Sequence, residues 1–274
     1  MLIMKLLFTD LDGTLLADNK DICEKNLRAI ELLYKSGNGL VLSSGRNISS
    51  LTLIADRLDL RSKGCFCIAF NGARIFDLYE QKSVYKSSIP LDIAEKIFED
   101  VNDCGLHIQT YDEKDVICES ENENLLSYIR ETSCSYVIAE NAVSYLRASG
   151  ALPPKILVTS REHPEKLKEL NSMLKKKYES DIETYYSSPI ILEIVNRGVS
   201  KGASLEKLCR LLGVPVANSI AAGDAMNDLS LLSSAGIACA VKNSLEELKP
   251  HADYVTSLDN NDGAVAEIIE KFIL

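Results

Sequence analysis

Short apolar runs alternate with amphipathic stretches over the first third of the chain. The stretch before Gly37 carries Leu27, Ile30, Leu33 and Tyr34 at helical spacing, whereas the runs on either side of it are apolar almost throughout. Such runs are typical of buried strands, and the helical spacing predicts an amphipathic helix. Strands are predicted at 5–9, 39–43 and 66–70, with a second helix at about 47–58. This βαβαβ order indicates a parallel sheet with right-handed crossovers.

The pattern changes between about residues 83 and 192. Here short strand-like runs lie next to one another, which predicts an antiparallel sheet with helices on one face. The predicted strands are 106–111, 115–119, 155–159, 182–186 and 190–195, with one helix around Ile93 to Val101 and another around Leu167 to Tyr178. After Asn196 the strand–helix alternation returns. We therefore predict a core formed by 1–82 and 193–274, interrupted by an inserted α+β domain at 83–192.

Composition narrows the class of protein. The 274 residues are 46% hydrophobic, which is ample for packed cores. The net charge of −10 argues against a nucleic-acid or anionic membrane surface, and no apolar stretch approaches the roughly 20 residues of a membrane span. The eight cysteines form no Cys-x-x-Cys pair, and the apolar opening segment has no signal-peptide cleavage pattern. Both observations indicate reduced thiols. We expect a soluble cytoplasmic protein, as a monomer or small homo-oligomer.

The first predicted strand ends on two acids, Asp10 and Asp12, followed by Gly13. On an extended segment, residues two positions apart point the same way, unless the turn has already rotated the second. Two neighbouring carboxylates favour a hard divalent cation such as Mg²⁺ between them, although an ordinary Asp-rich turn has the same composition. A calcium loop of the EF-hand type is excluded, because Leu15 stands where glycine is needed and Asp21 where glutamate is needed.

Two more predicted strand ends carry groups that suit a phosphate. Ser44 and Gly45 follow the second strand, and a hydroxyl and backbone amides there can donate to phosphate oxygens. Lys201, in Gly198-Val199-Ser200-Lys201-Gly202, enters the first turn of a predicted helix, where the helix dipole disfavours a cation unless an anion is near. Taken singly, these are also explained as a strand-ending turn and a surface lysine.

A fourth strand end, Gly223 to Asp228, adds further acids. Asp224 and Asp228 lie one helical turn apart beside Asn227 and can complete an oxygen-lined metal site, although Asp224 alone also suits an N-cap. The carboxyl ends of parallel strands lie along one edge of a sheet. Four such ends together predict a site for phosphoryl transfer.

The same segments resemble a known family. Asp10-Leu11-Asp12-Gly13-Thr14-Leu15, Ser44-Gly45-Arg46, Gly198-Val199-Ser200-Lys201-Gly202 and Gly223-Asp224-Ala225-Met226-Asn227-Asp228 resemble the four motifs of the haloacid dehalogenase superfamily, in their usual order. The last two, with Asn71-Gly72-Ala73 and Asp262-Gly263-Ala264-Val265, resemble its Cof-type branch (subfamily IIB), the sugar-phosphatase-like hydrolases. The resemblance implies a doubly wound, Rossmann-like parallel-sheet core with an inserted α+β cap that determines substrate specificity.

The resemblance also implies a role for each motif residue. Asp10 would be the nucleophile that forms an aspartyl-phosphate, and Asp12 the general acid and base. Mg²⁺ would be held by the Asp10 carboxylate, the Asp12 main-chain carbonyl and Asp224. The phosphoryl group would be held by Leu11, Ser44, Gly45, Lys201 and Asn227, with Asp228 supporting the site from behind. Ser44 stands where threonine is common in the family, which keeps the hydroxyl.

These roles predict a Mg²⁺-dependent phosphatase that acts on small soluble phosphate monoesters. Sugar phosphates come first, ahead of nucleotide, flavin and pyridoxal phosphates. The inserted domain would act as a lid that reads the leaving group. His107, Tyr111, Arg147 and Glu193 are candidate readers by position, and a structural role is the alternative for each.

Other functions remain open at this stage. A phosphomutase would pass the phosphoryl group to a sugar hydroxyl instead of water. An α/β-hydrolase is the rival enzyme, because Gly198 to Gly202 also fits Gly-x-Ser-x-Gly, with Ser200, Asp224 or Asp228, and His251 in suitable chain order. Against this hydrolase, the chain has no His-Gly-Gly oxyanion loop. The hydrolase mechanism would also leave Asp10 and Asp12 unused. A receiver domain would leave the insert unexplained, and a degenerate phosphate-binding protein would not need the intact acids.

Overall fold

The structure is a computed structural model that describes residues 4–60 and 65–274. Residues 1–3, which begin the apolar opening segment assessed above, and 61–64 lie outside the described residues. The described strands are β1 (Leu6–Thr9), β2 (Gly39–Ser43), β3 (Phe66–Ala69), β4 (Arg74–Asp77), β5 (Lys82–Lys86), β6 (His107–Tyr111), β7 (Val116–Cys118), β8 (Tyr136–Ile138), β9 (Lys155–Thr159), β10 (Ile182–Ser188), β11 (Ile191–Asn196), β12 (Ser219–Gly223), β13 (Ile237–Ala240) and β14 (Tyr254–Val255).

The described helices are α1 (Glu24–Lys35), α2 (Ile48–Arg57), α3 (Leu91–Asp103), α4 (Glu123–Thr132), α5 (Ala142–Ser149), α6 (Pro164–Lys177), α7 (Lys201–Leu212), α8 (Leu229–Ser234) and α9 (Ala264–Phe272). Within the described part of the chain, no helix is long and apolar enough to cross a membrane. The chain folds into two compact units. The first contains the described residues of Met1–Ser44, Leu51–Val84 and Ser200–Leu274, and the second contains Gly45–Ser50 and Tyr85–Val199.

The first unit is built on an eight-stranded sheet in the order β14-β13-β12-β1-β2-β3-β4-β5. β1 pairs in parallel with both β12 and β2, so Phe8 lies opposite Ala221 on one side and Val41 on the other. Leu6, Leu7 and Phe8 are all fully buried, as expected for a parallel strand that is covered on both faces. α1 packs against α9, and α7 packs against α8. The carboxyl ends of β1, β2 and β12 therefore meet at one edge.

The second unit contains a six-stranded sheet in the order β10-β11-β9-β6-β7-β8. Helices α3, α5 and α6 bury an apolar cluster with the sheet, in which Ile97, Leu146 and Leu170 accompany Ile108 and Val158. The pairing is antiparallel except between β7 and β8, which run parallel. A parallel pair needs a crossover, and α4 lies between these two strands in the chain.

The predicted parallel-sheet core with an inserted α+β unit is confirmed, and three details differ. The sequence interpretation missed the β4–β5 edge, where β4 runs antiparallel to β3, and it missed α4, β8 and α5. The predicted boundary between 192 and 193 falls inside β11, whose residues pair with β9 and β10, so the second unit continues to Val199. Residues 45–50 also group with the second unit.

Candidate active site

Asp10 is held rigidly at the end of β1. Its amide donates to the carbonyl of Ala222 at 2.9 Å, which continues the ladder between β1 and β12, and the Thr9 hydroxyl donates to its carbonyl at 2.8 Å. Only 6% of the residue is exposed. The main chain is therefore fixed by β12 and by the Thr9 side chain, and the residue is buried.

The partner of Asp10 is Lys201, the first residue of α7. Its Nζ lies 2.5 Å from Asp10 Oδ1 and 2.6 Å from Asp228 Oδ1, and the side chain is fully buried. Burial alone would lower the pKa of Lys201, but the two carboxylates outweigh it and raise the pKa above its ordinary value. Ser200 caps the start of the helix, and its Oγ accepts the amide of Ala203 at 3.0 Å. The two acids explain a cation in this first turn.

Asp224 and Asp228 converge on the same place after β12. One oxygen of Asp228 accepts the amides of Asp224 and Ala225 at 3.1 and 3.3 Å, while its other oxygen contacts Lys201. Thr14 Oγ1 donates to Asp224 Oδ1 at 2.7 Å. This places Asp224 against the loop that follows Asp12.

Three carboxylates, those of Asp10, Asp224 and Asp228, have oxygens within 4.8 Å of one another. Burial and the Asp228 charge raise the pKa of Asp10 well above its ordinary value and that of Asp224 to about 7. With one ammonium among three carboxylates, the fully ionised cluster lacks positive charge. The all-oxygen donor set suits a hard divalent cation, so the residues present fit Mg²⁺.

The Asp12 carboxylate lies outside this cluster. Its side chain is 40% exposed and contacts Lys20 Nζ at 2.9 Å. The chain leaves the extended conformation here, because the carbonyl of Leu11 accepts the amides of Thr14, Leu15 and Leu16 in a tight turn. The turn therefore gives Asp10 and Asp12 different surroundings. The spacing of the two acids in the sequence had left open whether the turn rotates the second one away.

Of the predicted phosphate-binding residues, Ser44 and Asn227 lie in the first unit, whereas Gly45 lies in the second. Ser44 is buried at the end of β2, where its amide donates to Ile68 and its carbonyl accepts the amide of Asn71, so the Asn71-Gly72-Ala73 motif helps to hold it. Asn227 lies in the 3-10 turn before α8, and its buried Oδ1 has no hydrogen-bond partner among the described residues. A bound ligand or water molecule is one way to satisfy such an atom. Gly45 groups with the second unit, where its carbonyl accepts Lys155 Nζ at 2.8 Å.

Three of the four candidate readers lie in one polar cluster of the second unit. Lys155 Nζ is 2.7 Å from Glu193 Oε2 and 5.0 Å from the centre of the Tyr111 ring. Gln109 joins Tyr111 to His107 through hydrogen bonds of 2.9 and 3.1 Å. Arg147 is separate, because it pairs with Glu95 in an exposed contact of 3.0 Å between α5 and α3.

Residues of the rival hydrolase have other roles here. The Ser200 hydroxyl oxygen caps α7, and His251 is exposed in a turn between β13 and β14. The sequence interpretation also missed contributors to the acidic site. Thr14 had a usable signal, since it directly follows Gly13 in the first motif, but Asn243, which donates to the carbonyl of Gly13 at 2.8 Å, had none.

Residues 7–269 match the model of the haloacid dehalogenase-like hydrolase family. One curated relative is the Bacillus subtilis enzyme 5-amino-6-(5-phospho-D-ribitylamino)uracil phosphatase YitU, which is 27% identical over 98% of each chain.

Solved structures agree with this match. A haloacid dehalogenase-like hydrolase from Bacteroides thetaiotaomicron superposes with a TM-score of 0.88 at 29% identity, covering 98% of this chain and 99% of that one. The subclass IIB sugar phosphatase BT4131 superposes with a TM-score of 0.81 at 22% identity, with coverage of 98% and 99%. The chain therefore belongs to the haloacid dehalogenase-like hydrolase family, as an enzyme of the phosphatase type with the subclass IIB fold.

Proposed function

We propose that this chain is a Mg²⁺-dependent phosphatase that hydrolyses small phosphate monoesters, sugar phosphates first among them, through a phosphorylated Asp10. The observation that carries the proposal is the buried Asp10 carboxylate, which touches Lys201 and belongs to the cluster of three acids. A buried carboxylate beside a lysine and two further acids is costly unless ligands complete the charge balance. A divalent cation and a phosphate ester are such ligands.

In the first half of the reaction, an Asp10 oxygen attacks phosphorus and forms an acyl phosphate. The ester P–O bond breaks at the same time, and the leaving oxygen takes a proton from Asp12. Lys201 balances charge on the phosphoryl oxygens and keeps Asp10 oriented. Asp12 must exchange its contact with Lys20 for one with the leaving oxygen.

In the second half, Asp12 takes a proton from a water molecule that attacks phosphorus. The bond between phosphorus and Asp10 breaks, inorganic phosphate leaves and the carboxylate is restored. Phosphoryl transfer needs in-line positioning and charge stabilisation more than covalent chemistry. Ser44, the Asn227 amide and the backbone at Leu11 and Gly45 are the proposed donors to the phosphoryl oxygens.

The Asp10 and Asp224 carboxylates and the Asp12 carbonyl would hold Mg²⁺, with Asp228 held behind them by Lys201 and two backbone amides. When bound, the cation offsets the repulsion between carboxylate and phosphate. Thr14 and Gly13 fix one of these ligands, because Thr14 donates to Asp224 and Gly13 packs on it.

The proposed substrate class is supported by the relatives. YitU is named for a substrate that carries a phosphorylated ribityl group, and BT4131 is named a sugar phosphatase. Both names describe a phosphate monoester on a small polyhydroxylated group. We propose that the second unit supplies the residues that select this group, with His107, Tyr111 and Glu193 as candidates.

The test is phosphate release from an aryl phosphate, with Mg²⁺ and then with a chelator. Wild type is compared with Asp10→Asn and with Asp59→Asn, an exposed acid after α2 that serves as the matched control. We expect metal-dependent turnover in wild type and control and none in Asp10→Asn, with the circular dichroism spectrum unchanged. Full activity in Asp10→Asn would refute the mechanism.

Two other outcomes identify the alternatives. Cleavage of an aryl carboxylate ester without phosphatase activity would favour the Ser200 hydrolase. With sugar phosphates, formation of an isomeric or doubly phosphorylated sugar without inorganic phosphate would favour the phosphomutase.

A further inference from the structure

The loop that follows Asp12, residues 13–18, is held by side-chain amides of asparagines, two of which lie 230 and 244 positions from their partners in the chain. A loop without regular structure must find other partners for its carbonyls. Asn243 Nδ2 donates to Gly13 at 2.8 Å, Asn260 Nδ2 to Leu16 at 3.0 Å and Asn26 Nδ2 to Leu15 at 3.4 Å. We call Asn26, Asn243 and Asn260 the asparagine frame.

Asn243 and Asn260 are bonded to each other, and Asn26 is bonded to α9. Asn243 Oδ1 accepts the amide of Asn260 at 3.1 Å, and Asn26 Oδ1 accepts the amide of Ala266 in α9 at 2.8 Å. Asn260 Nδ2 also donates to Asp18 Oδ1 at 3.0 Å. Asn26 and Asn260 are buried, with 0% and 3% exposed. The loop is therefore clamped from α1, from the segment after β13 and from the segment before α9.

The clamped loop bears directly on the acidic cluster. A Cβ added to Gly13 would lie 2.5 Å from Asp224 Oδ2, so no side chain fits between the loop and this carboxylate. Thr14 Oγ1 holds the other oxygen of Asp224. The position of Gly13 and Thr14 thus determines where the Asp224 carboxylate lies.

Asparagine suits this task because one side chain donates and accepts at once. Asn243 donates to the loop and accepts from the neighbouring segment. An ionised aspartate in its place could accept the second bond but has no donor for the first. An apolar residue would leave both backbone groups without these bonds, which is costly where they are buried.

We propose that Asn243 and Asn260 are positioning residues for the proposed reaction. By holding the carbonyls of Gly13 and Leu16, they keep Asp224 and the peptide between Asp12 and Gly13 in the arrangement that binds the divalent cation. They act through the loop and do not touch the substrate. The inference rests on the proposed function, and it gives the Asn260 segment, just before the Asp262-Gly263 motif, a role at the active site.

The test is Mg²⁺ binding by calorimetry, without substrate, on wild type and Asn243→Ala. Asn243 is exposed, so its variant should fold. The matched control is Asn38→Ala. Asn38 directly precedes β2, at the end of that strand away from Ser44, and its side-chain amide bonds to Ser36 and Lys5 and not to the loop. We expect about tenfold weaker Mg²⁺ binding in Asn243→Ala, since residues that orient metal ligands act at this scale, and no change in Asn38→Ala.

Turnover supplies the second readout. In Asn243→Ala the Mg²⁺ concentration for half-maximal activity should rise about tenfold, while kcat at saturating Mg²⁺ changes less. Asn260→Ala should show the same weaker binding with a lower melting temperature. A lower melting temperature with unchanged Mg²⁺ affinity in both variants would overturn the inference. Absence of Mg²⁺ binding and phosphatase turnover in wild type would instead refute the proposed function.

Discussion

Replacing Asp224 with asparagine should stabilise the metal-free protein at neutral and higher pH while preventing turnover. Burial, followed by the charge of Asp228, raises the pKa of Asp224 to about 7 from its ordinary 3.8. The ionised Asp224 carboxylate therefore destabilises the metal-free fold. Asparagine has nearly the same shape and keeps an oxygen for the Thr14 hydroxyl, so the substitution removes the charge without removing this contact.

The sign and size of this change in the free energy of unfolding follow from proton linkage. Between pH 3.8 and about 7 the folded protein keeps a proton that the unfolded chain has lost, so the free energy of unfolding falls as pH rises through this window. The interval is roughly three pH units at about 1.4 kcal/mol each, or roughly 4 kcal/mol. This is an upper bound, because Asp10 and Asp228 share the repulsion. We expect Asp224→Asn to gain about 1–4 kcal/mol above pH 7 and nothing below pH 3.8.

Urea unfolding in chelator, at pH 4 and pH 8, measures this difference. Asp18→Asn is the control of opposite sign, because hydrogen bonds from Asn260 and Asn261 lower the pKa of Asp18, so that its ionised form stabilises the fold above pH 3.8. That variant should lose stability at pH 8. Added Mg²⁺ should stabilise wild type and have little effect on Asp224→Asn. Equal or lower stability of Asp224→Asn relative to wild type at pH 8 would refute a destabilising Asp224 charge.

Two further substitutions test the packing and the buried charges. In Gly202→Ala the new Cβ would lie 2.1 Å from the carbonyl oxygen of Ser230, so α7 and α8 must separate. We expect the free energy of unfolding in urea to fall by about 1–3 kcal/mol. An unchanged urea midpoint would contradict this. Lys155→Met removes the ammonium from the buried Glu193 and should cost about 3–5 kcal/mol. The double variant with Glu193→Leu should recover most of that loss, and failure to recover would mean that the pair is not the cause.

Strands buried on both faces were predictable because their sequences are continuous apolar runs. β2 and β9 were placed without error, since no exposed residue interrupts them. β5 is an edge strand with alternating exposure and a lysine at each end, so its apolar signal is weak. α4 and α5 had usable local signals that the hydrophobic pattern did not include, because Asn122 and Asn141 each cap a helix through their side-chain oxygens.

The acidic site was predictable for a different reason. Asp10, Asp224 and Asp228 follow strands that the parallel topology places side by side, so their convergence follows from the fold. Asn243 and Asn260 could not be found this way, because their partners Gly13 and Leu16 lie 230 and 244 positions away and no local pattern links them. The rotation of Asp12 away from Asp10 depends on a turn whose hydrogen bonds the spacing alone does not specify.

The central position of β1 has a consequence for how the protein is made. Its two neighbours are β2, which follows shortly, and β12, which begins 213 residues after β1 (219 − 6). At about 5–20 residues per second, a ribosome needs roughly 10 to 40 s to make that stretch. Until this stretch is finished Asp10 lacks Ala222 as a partner, whereas Tyr85–Val199 is complete as a chain segment before β12 begins. The cluster of Asp10, Asp224 and Asp228 therefore cannot form until β12 and the residues that follow it have been made.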